Sequence, residues 1–380
     1  MPAALRRMTA VARKEFLHLL RDPRSLALGI VMPLIMLFLF GYALTLDVDR
    51  VPLAVWDQSG TPQSRELVSR FAGSRYFSLR RYAASYAELE RAVDRRDVLI
   101  ALVIPPDFAD RLERSDGPTV QVILDGSDPN TATIAQGYAE AIVLTWSRQV
   151  ALQQLARRSP APPDVPSLEI RPRVWFNTDL VSRNFIFPGL IPVIMMIVAA
   201  LLTSLSMARE WETGTMEQLI TMPVRRWELV LGKLAPYFCV GVLDLVLAVG
   251  VGYLVFDVPL KGSLWLLTAL SLLFLTGALA VGMLISIVAR GQLLASQLAL
   301  MVTVLPAFLL SGFIFPLENM PAPIRAVSHI VVARYFVTIL RGIYLKDVGL
   351  ATLWPQALFL LGFAGLILTA AMLIFRKKLK

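Results

Sequence analysis

Residues able to carry chemistry are few in this 380-residue chain, and their spacing excludes several kinds of it. Cys239 is the only cysteine, so no internal disulfide and no cysteine-based zinc site can form. His18 and His329 lie far apart without metal-ligand spacing, which argues against a His/Cys metal enzyme. A phosphate-cradling P-loop needs G-x-x-x-x-G-K-[ST]; the one Gly-Lys pair, Gly232-Lys233, has Trp227 in the first glycine's place and Leu234 after it. Ser311-Gly312-Phe313 is likewise no nucleotide signature loop. Two features remain: a lone Asp244 inside an apolar run, and an acidic, hydroxyl-bearing segment from Met207 to Pro223.

The elements that must hold these residues are membrane helices. The chain is 56% hydrophobic and 17% charged, too apolar for a soluble enzyme and the opposite of a disordered chain. About 20 apolar residues span a bilayer as a helix. Six such runs occur, at 25–46, 184–208, 234–256, 264–289, 293–315 and 353–375. The second contains Pro188 and Pro192, which kinks or neighbouring helices must accommodate. A seventh run at 330–340 is too short and contains Arg334; with Pro316, Pro321 and Pro323 before it, it reads as interfacial or re-entrant helices. Fifteen of the Lys and Arg residues flanking these runs fall on the side of both termini and five on the other, which predicts cytoplasmic termini. The first run is too long for a cleaved signal peptide. Before it, residues 1–24 place Leu5, Met8, Ala12, Phe16 and Leu19 at helical spacing among basic residues, predicting an interfacial amphipathic helix.

Residues 47–183 differ in kind. Strand-like runs at 51–56, 98–104 and 120–124 alternate with helical patterns at 62–71, 86–95, 107–114 and 131–158, before a proline-rich stretch at 159–172. The expected fold is therefore an α-helical polytopic membrane protein with six transmembrane helices and an inserted extracytoplasmic α/β domain. The insert carries 17 basic and 18 acidic residues, so no basic stripe exists for nucleic acid. Asp128 and Asn130 begin a calcium-loop pattern that Ala132 and Ala139 do not continue, and a turn with a helix cap is the simpler reading. No catalytic constellation stands out there. The net charge of +9 is carried by the flanks on the terminal side: it is an orientation signal.

Gly214 lets the chain break out of the second span, and Thr215 with Gln218 three residues later is a capping-box pattern for a new short helix. Pro223 ends that helix or opens the next. Met216, Leu219 and Ile220 give it an apolar face, suited either to docking on a partner or to packing on the chain's own spans. Asp244 reads as a proton, cation or cationic-substrate site, or as a buried structural hydrogen bond to a neighbouring span or a partner subunit.

The run Arg209-Glu-x-Glu-x-Gly-Thr-x-Glu-Gln-Leu-x-x-x-Pro223, followed by Leu231-Gly-Lys-Leu-Ala-Pro236, closely resembles ABC-2-type transporter permeases. So do Leu310-Ser-Gly-Phe-Ile-Phe-Pro-Leu-Glu-Asn-Met-Pro321, Arg334-Tyr-Phe, and Leu340-Arg-Gly-Ile-Tyr-Leu-Lys346, and Val174-Trp-Phe-Asn177 fits the same pattern. The resemblance implies a cytoplasmic coupling helix at about 207–230, seated on a separate nucleotide-binding subunit. Arg209, Glu210, Glu212, Gly214, Thr215, Met216, Glu217, Gln218 and Pro223 would form that contact. It also implies outer re-entrant helices at about 316–346 carrying Pro316, Glu318, Asn319, Pro321, Arg334, Arg341 and Gly342. The chain would bind no cofactor; ATP and Mg would be used by the partner ATPase, so the chain is a transport subunit and no enzyme. A second permease subunit, identical or similar, and membrane lipid are the other implied partners, with a periplasmic adaptor a candidate for the outer domain. The expected role is export of a hydrophobic or amphipathic substrate such as a drug or lipid, from a bacterial inner membrane. The alternatives are a secondary transporter using Asp244, disfavoured by the lack of inverted repeats, and a membrane-anchored sensor.

Overall fold

The computed structural model describes residues 3–43, 50–114, 119–127, 129–158, 176 and 181–375. It divides into two compact units, one of residues 46–173 and one joining residues 1–45 to 174–380. The basic tail beyond 375, the proline-rich stretch 159–172 and Asp128 lie outside the described residues.

In chain order the second of these units begins with α1 (Ala3–Leu20), the predicted amphipathic helix. Asp22 then caps α2 (Pro23–Ala43), accepting bonds from the Arg24 and Ser25 amides, with Pro23 where its missing N–H costs nothing. A π-helical stretch, Ala27–Val31, lies inside α2.

The inserted unit runs β1 (Val51–Asp57), α3 (Pro62–Ala72), β2 (Phe77–Tyr82), α4 (Tyr86–Asp94), β3 (Ile100–Ile104), α5 (Phe108–Arg114), β4 (Gln121–Leu124) and α6 (Pro129–Arg158). The sheet order is β2-β1-β3-β4, parallel across the first three strands and antiparallel at β4. Every residue of β3 is buried, as befits a strand covered on both faces, and its run of five apolar residues is what made it legible. Strand β2 was not among the expected ones. Arg80 and Arg81 break its alternation, which an edge strand tolerates because that end faces water. Phe71, Phe77, Phe108 and Trp146 pack one face of the sheet; Ala54, Leu89, Ala92 and Val98 pack the other.

The membrane unit continues with α7 (Ser182–Glu212), α8 (Met216–Thr221), α9 (Arg226–Leu254), α10 (Leu264–Ala289), α11 (Gln292–Leu310), α12 (Ala322–Ser328), α13 (Val332–Lys346) and α14 (Leu350–Ile374). Among the described residues six helices are long and apolar enough to cross a membrane: α2, α7, α9, α10, α11 and α14. Helices α12 and α13 pass the same test only as a pair bent by 83°, in the region expected to be re-entrant. The protein is a multi-pass membrane protein. Helix α7 is the axis of the unit, buried along nearly its whole length. Helix α10 lies against it so closely that a side chain on Gly282 would collide with the Thr203 hydroxyl and the Ala200 carbonyl. On α14, by contrast, Leu358, Leu361, Leu366 and Leu373 point outward, the apolar exterior that lipid solvates.

Candidate functional site

At 31 residues α7 is about 46 Å long, more than the roughly 30 Å needed to cross a hydrocarbon core. The chain leaves it through Gly214, whose φ of +74° is open to glycine without strain, and enters the two-turn α8. The anticipated capping box does not form: Thr215 is itself in helical conformation and makes no cap bond. Its hydroxyl instead donates to Glu210, which is also held from two other directions.

Those directions are α1 and α9. Lys233, fully buried, donates to Glu210 Oε1 at 3.0 Å and to Glu15 Oε1 at 2.7 Å. Lys14 donates to the same Glu210 oxygen at 2.7 Å. One turn along, Arg7 forks onto Glu228 at 2.7 and 2.9 Å, and Glu228 also accepts the Arg225 amide, capping α9. Arg209 pairs with Asp22 at 2.9 Å. The backbones come close because Gly232 has no side chain: a Cβ there would meet Val11 at 2.9 Å and the Met8 carbonyl at 3.0 Å. The motif residues Glu210, Gly232 and Lys233 thus clamp α1 against α7 and α9. Burial disfavours the Lys14 charge, yet its bond to Glu210 and the fields of Glu15 and Glu210 outweigh that and raise its pKa above the ordinary lysine value. Burial likewise opposes the Asp22 charge, but hydrogen bonds from Ser25 and Arg209 hold its pKa below the ordinary aspartate value.

The residues assigned to the coupling segment therefore divide. Glu210 and Met216 face inward, Arg209 and Thr215 are half-buried, and Leu219 packs with Met216 into the main core. Met216 and Leu219 thus turn the apolar face of α8 toward the chain's own helices, while the side chain of Ile220 lies outside the described residues. Gly214, Glu217, Gln218 and Pro223 are exposed, as are Thr221, Met222 and Trp227. Glu212 bonds both the amide and the side chain of Gln292 at the start of α11. Glu15, Asp22, Arg7 and Glu228 were not singled out from sequence. The available signal was that Glu15 and Asp22 are the only two carboxylates among the first 24 residues, otherwise rich in arginine.

At the bent pair, Arg341 of α13 donates to the carbonyls of Gly312 and Phe313 at 2.9 and 3.2 Å, satisfying groups left open where α11 ends. Its guanidinium lies 3.6 Å above the Phe185 ring. Arg334 braces the bend by donating to the Ser328 hydroxyl at 2.6 Å. Pro316, Glu318, Arg341 and Gly342 line one cavity of about 510 Å³, while Asn319 and Pro321 lie on the turn leading into α12 and Arg334 lies elsewhere. Asp244 is 3% exposed, and neither carboxylate oxygen has a hydrogen-bond partner among the described residues. A structural bond to a neighbouring span of the same chain, one of the expected alternatives, is therefore not present among them. No group of three or more His, Cys, Asp or Glu residues could hold a metal ion among the described residues.

Residues 23–373 match the model of the ABC-2 family transporter proteins. The probable multidrug ABC transporter permease YbhS of Escherichia coli K12 is 37% identical over 375 residues, with 98% of each chain covered. The probable multidrug ABC transporter permease YbhR of the same organism is 33% identical over 372 residues, covering 98% of this chain and 99% of that one. The inner membrane transport permease YhhJ, also of that strain, is 28% identical over 381 residues, with 98% of each covered. With the six long apolar helices already in place, this full-length match means that the chain belongs to the ABC-2 family of transporter proteins.

Proposed function

We propose that the protein is the permease subunit of an ATP-driven exporter, powered by a separate nucleotide-binding subunit seated on the exposed edge of α8. The observation that carries this reading is the division of the 207–223 segment. Glu217, Gln218 and Pro223 face outward, while Glu210 behind them is bonded to Lys14 of α1, Thr215 and Lys233 of α9. A push on α8 is then transmitted to three helices at once, since paired buried charges cannot separate without a large desolvation cost. Arg209, Glu210, Thr215 and Met216 act in this reading as the backing of the contact, and Glu212, Gly214, Glu217, Gln218 and Pro223 as its face.

The Lys and Arg distribution supports cytoplasmic termini and a cytoplasmic α8, with the inserted α/β unit and the α12–α13 bend on the outer side of a bacterial inner membrane. A second permease subunit completes the pathway in this reading, and a periplasmic adaptor is the partner of the inserted unit. Hydrophobic or amphipathic cargo is favoured by the apolar spans and by the multidrug permease names of two relatives.

The test is transport of a lipophilic dye into inverted vesicles containing this chain with and without its co-expressed ATPase. Vanadate-sensitive uptake that requires both is the expected result. Uptake driven by a proton gradient in the absence of any ATPase would overturn the reading in favour of secondary transport through Asp244, whose unpartnered carboxylate is the one observation on that side.

A further inference from the structure

We infer that the cleft between α1 and the Glu210 end of α7 binds one anionic phospholipid, its phosphate held by Arg13 and Arg21 and its upper acyl chain lying on Leu17, Leu202 and Leu205. The cleft has a volume of about 750 Å³. One wall is the α1 face of Ala10, Arg13, Lys14, Leu17, His18 and Arg21, which recur at three- and four-residue spacing. The other lining residues include Leu202, Leu205, Ser206 and Arg209 of α7, Thr213 just beyond it, and Tyr237 of α9.

Charge sorting within the cleft leaves two cations uncompensated among the described residues. Glu15 and Glu210 are neutralised by Lys233 and Lys14, and Asp22 by Arg209. Arg13 and Arg21 are both exposed, and among the described residues neither side chain has an ion pair or hydrogen bond. Two guanidiniums two helical turns apart on one wall, with nothing of opposite charge left to meet them, suit a phosphate.

The apolar half of the lining selects an amphiphile over a free anion. Phe16 and Leu20, 42% and 52% exposed, sit beside Arg13 and Leu17 around the helix. A helix that leads directly into a span and bears exposed apolar and basic stripes lies at the headgroup–acyl boundary, so the mouth of the cleft sits at headgroup depth. A lipid entering from the adjacent leaflet meets the arginines with its phosphate and the leucines with its chain. This inference requires only that the chain is embedded in a membrane, and it stands or falls independently of ATP coupling.

The experiment is native mass spectrometry of the purified full-length chain, titrated separately with phosphatidylglycerol, phosphatidylcholine and inorganic phosphate. One tightly retained phosphatidylglycerol per chain is expected, with phosphatidylcholine lost readily and inorganic phosphate unable to displace it. The double variant Arg13→Gln/Arg21→Gln should weaken retention roughly tenfold or more, while Arg225→Gln/Arg226→Gln, the same loss of charge on another exposed stretch, should leave it unchanged. Leu17→Glu, which puts a carboxylate in the cleft four residues from each arginine, where it pairs with both and removes the apolar contact, should also expel the lipid, and it serves if the double variant does not fold. Equal retention of phosphatidylcholine, full displacement by inorganic phosphate, or equal weakening in the Arg225/Arg226 pair would each overturn the site.

Discussion

Lys233 Nζ and Glu15 Oε1 are 218 positions apart in sequence and 2.7 Å apart in space. Lys233 is wholly buried and Glu15 4% exposed, and the same ammonium reaches Glu210. This pair ties α1 to the start of the third membrane helix, and through Glu210 to the turn that presents α8. Removing one partner of a buried pair leaves the other charge stranded, which costs about 3–5 kcal/mol. Lys233→Met is expected to lower the melting temperature of the solubilised protein markedly. Glu15→Gln added to it should recover part of the loss, because Lys14 still neutralises Glu210.

Gly232 tests the same interface sterically. A side chain there would press on Val11 and, worse, on the Met8 carbonyl, which as backbone cannot swing away. Gly232→Val should lift α1 from α9 at a cost of about 1–3 kcal/mol, read as faster tryptic cleavage at Arg6, Arg7 and Arg13. Gly250, with open space around its Cβ position, is the control; Gly250→Ala should leave cleavage rates unchanged.

The outward edge of α8 should affect coupling without affecting folding. Glu217 and Gln218 are exposed and belong to the helix by backbone alone. Glu217→Arg is expected to keep wild-type expression and melting temperature while cutting ATP-dependent uptake by roughly a hundredfold or more, as reversal of a charge across a contact costs several kcal/mol. A fall in melting temperature equal to that of Lys233→Met would place Glu217 among the structural residues.

Asp244 makes the opposite prediction. A buried carboxylate without a hydrogen-bond partner among the described residues costs stability, so Asp244→Leu should raise the melting temperature of the dispersed single subunit, by about 1–3 kcal/mol of stability. If a second subunit supplies the missing donor, the gain reverses in the assembled pair, and comparing the two preparations reads that contact directly.

Arg341 is used as a fork and a plate together: two donors to consecutive carbonyls and a flat face on Phe185. Arg341→Lys keeps the charge and loses both features, so it should behave nearly as badly as Arg341→Met in a thermal melt of the purified protein. Rescue by lysine would mean that charge alone matters at the bend.

Most of the architecture was legible in residue order because apolar length and proline placement are local properties. The six spans, the break at Gly214, the bend near 316–346 and the all-apolar β3 each follow from a stretch of neighbours. Strand β2 was hidden because Arg80 and Arg81 erase the alternation that would have marked it, and only its place at the sheet edge explains why they are tolerated.

Sequence by itself determined which segments are long and apolar enough to cross a membrane and, through the motif around Glu210 and Gly214, the family to which they belong. What the motif residues do was decided only in three dimensions. Residues within one acidic run could not be sorted into an outward face and a buried backing until α1 and α9 came to lie beside it. Partners for Glu210 come from positions 14 and 233, and hydropathy along a chain carries no information about which distant cation a carboxylate will meet. Burial made those pairings obligatory: a charge taken out of water must find its counterion, and the fold determines where that counterion stands.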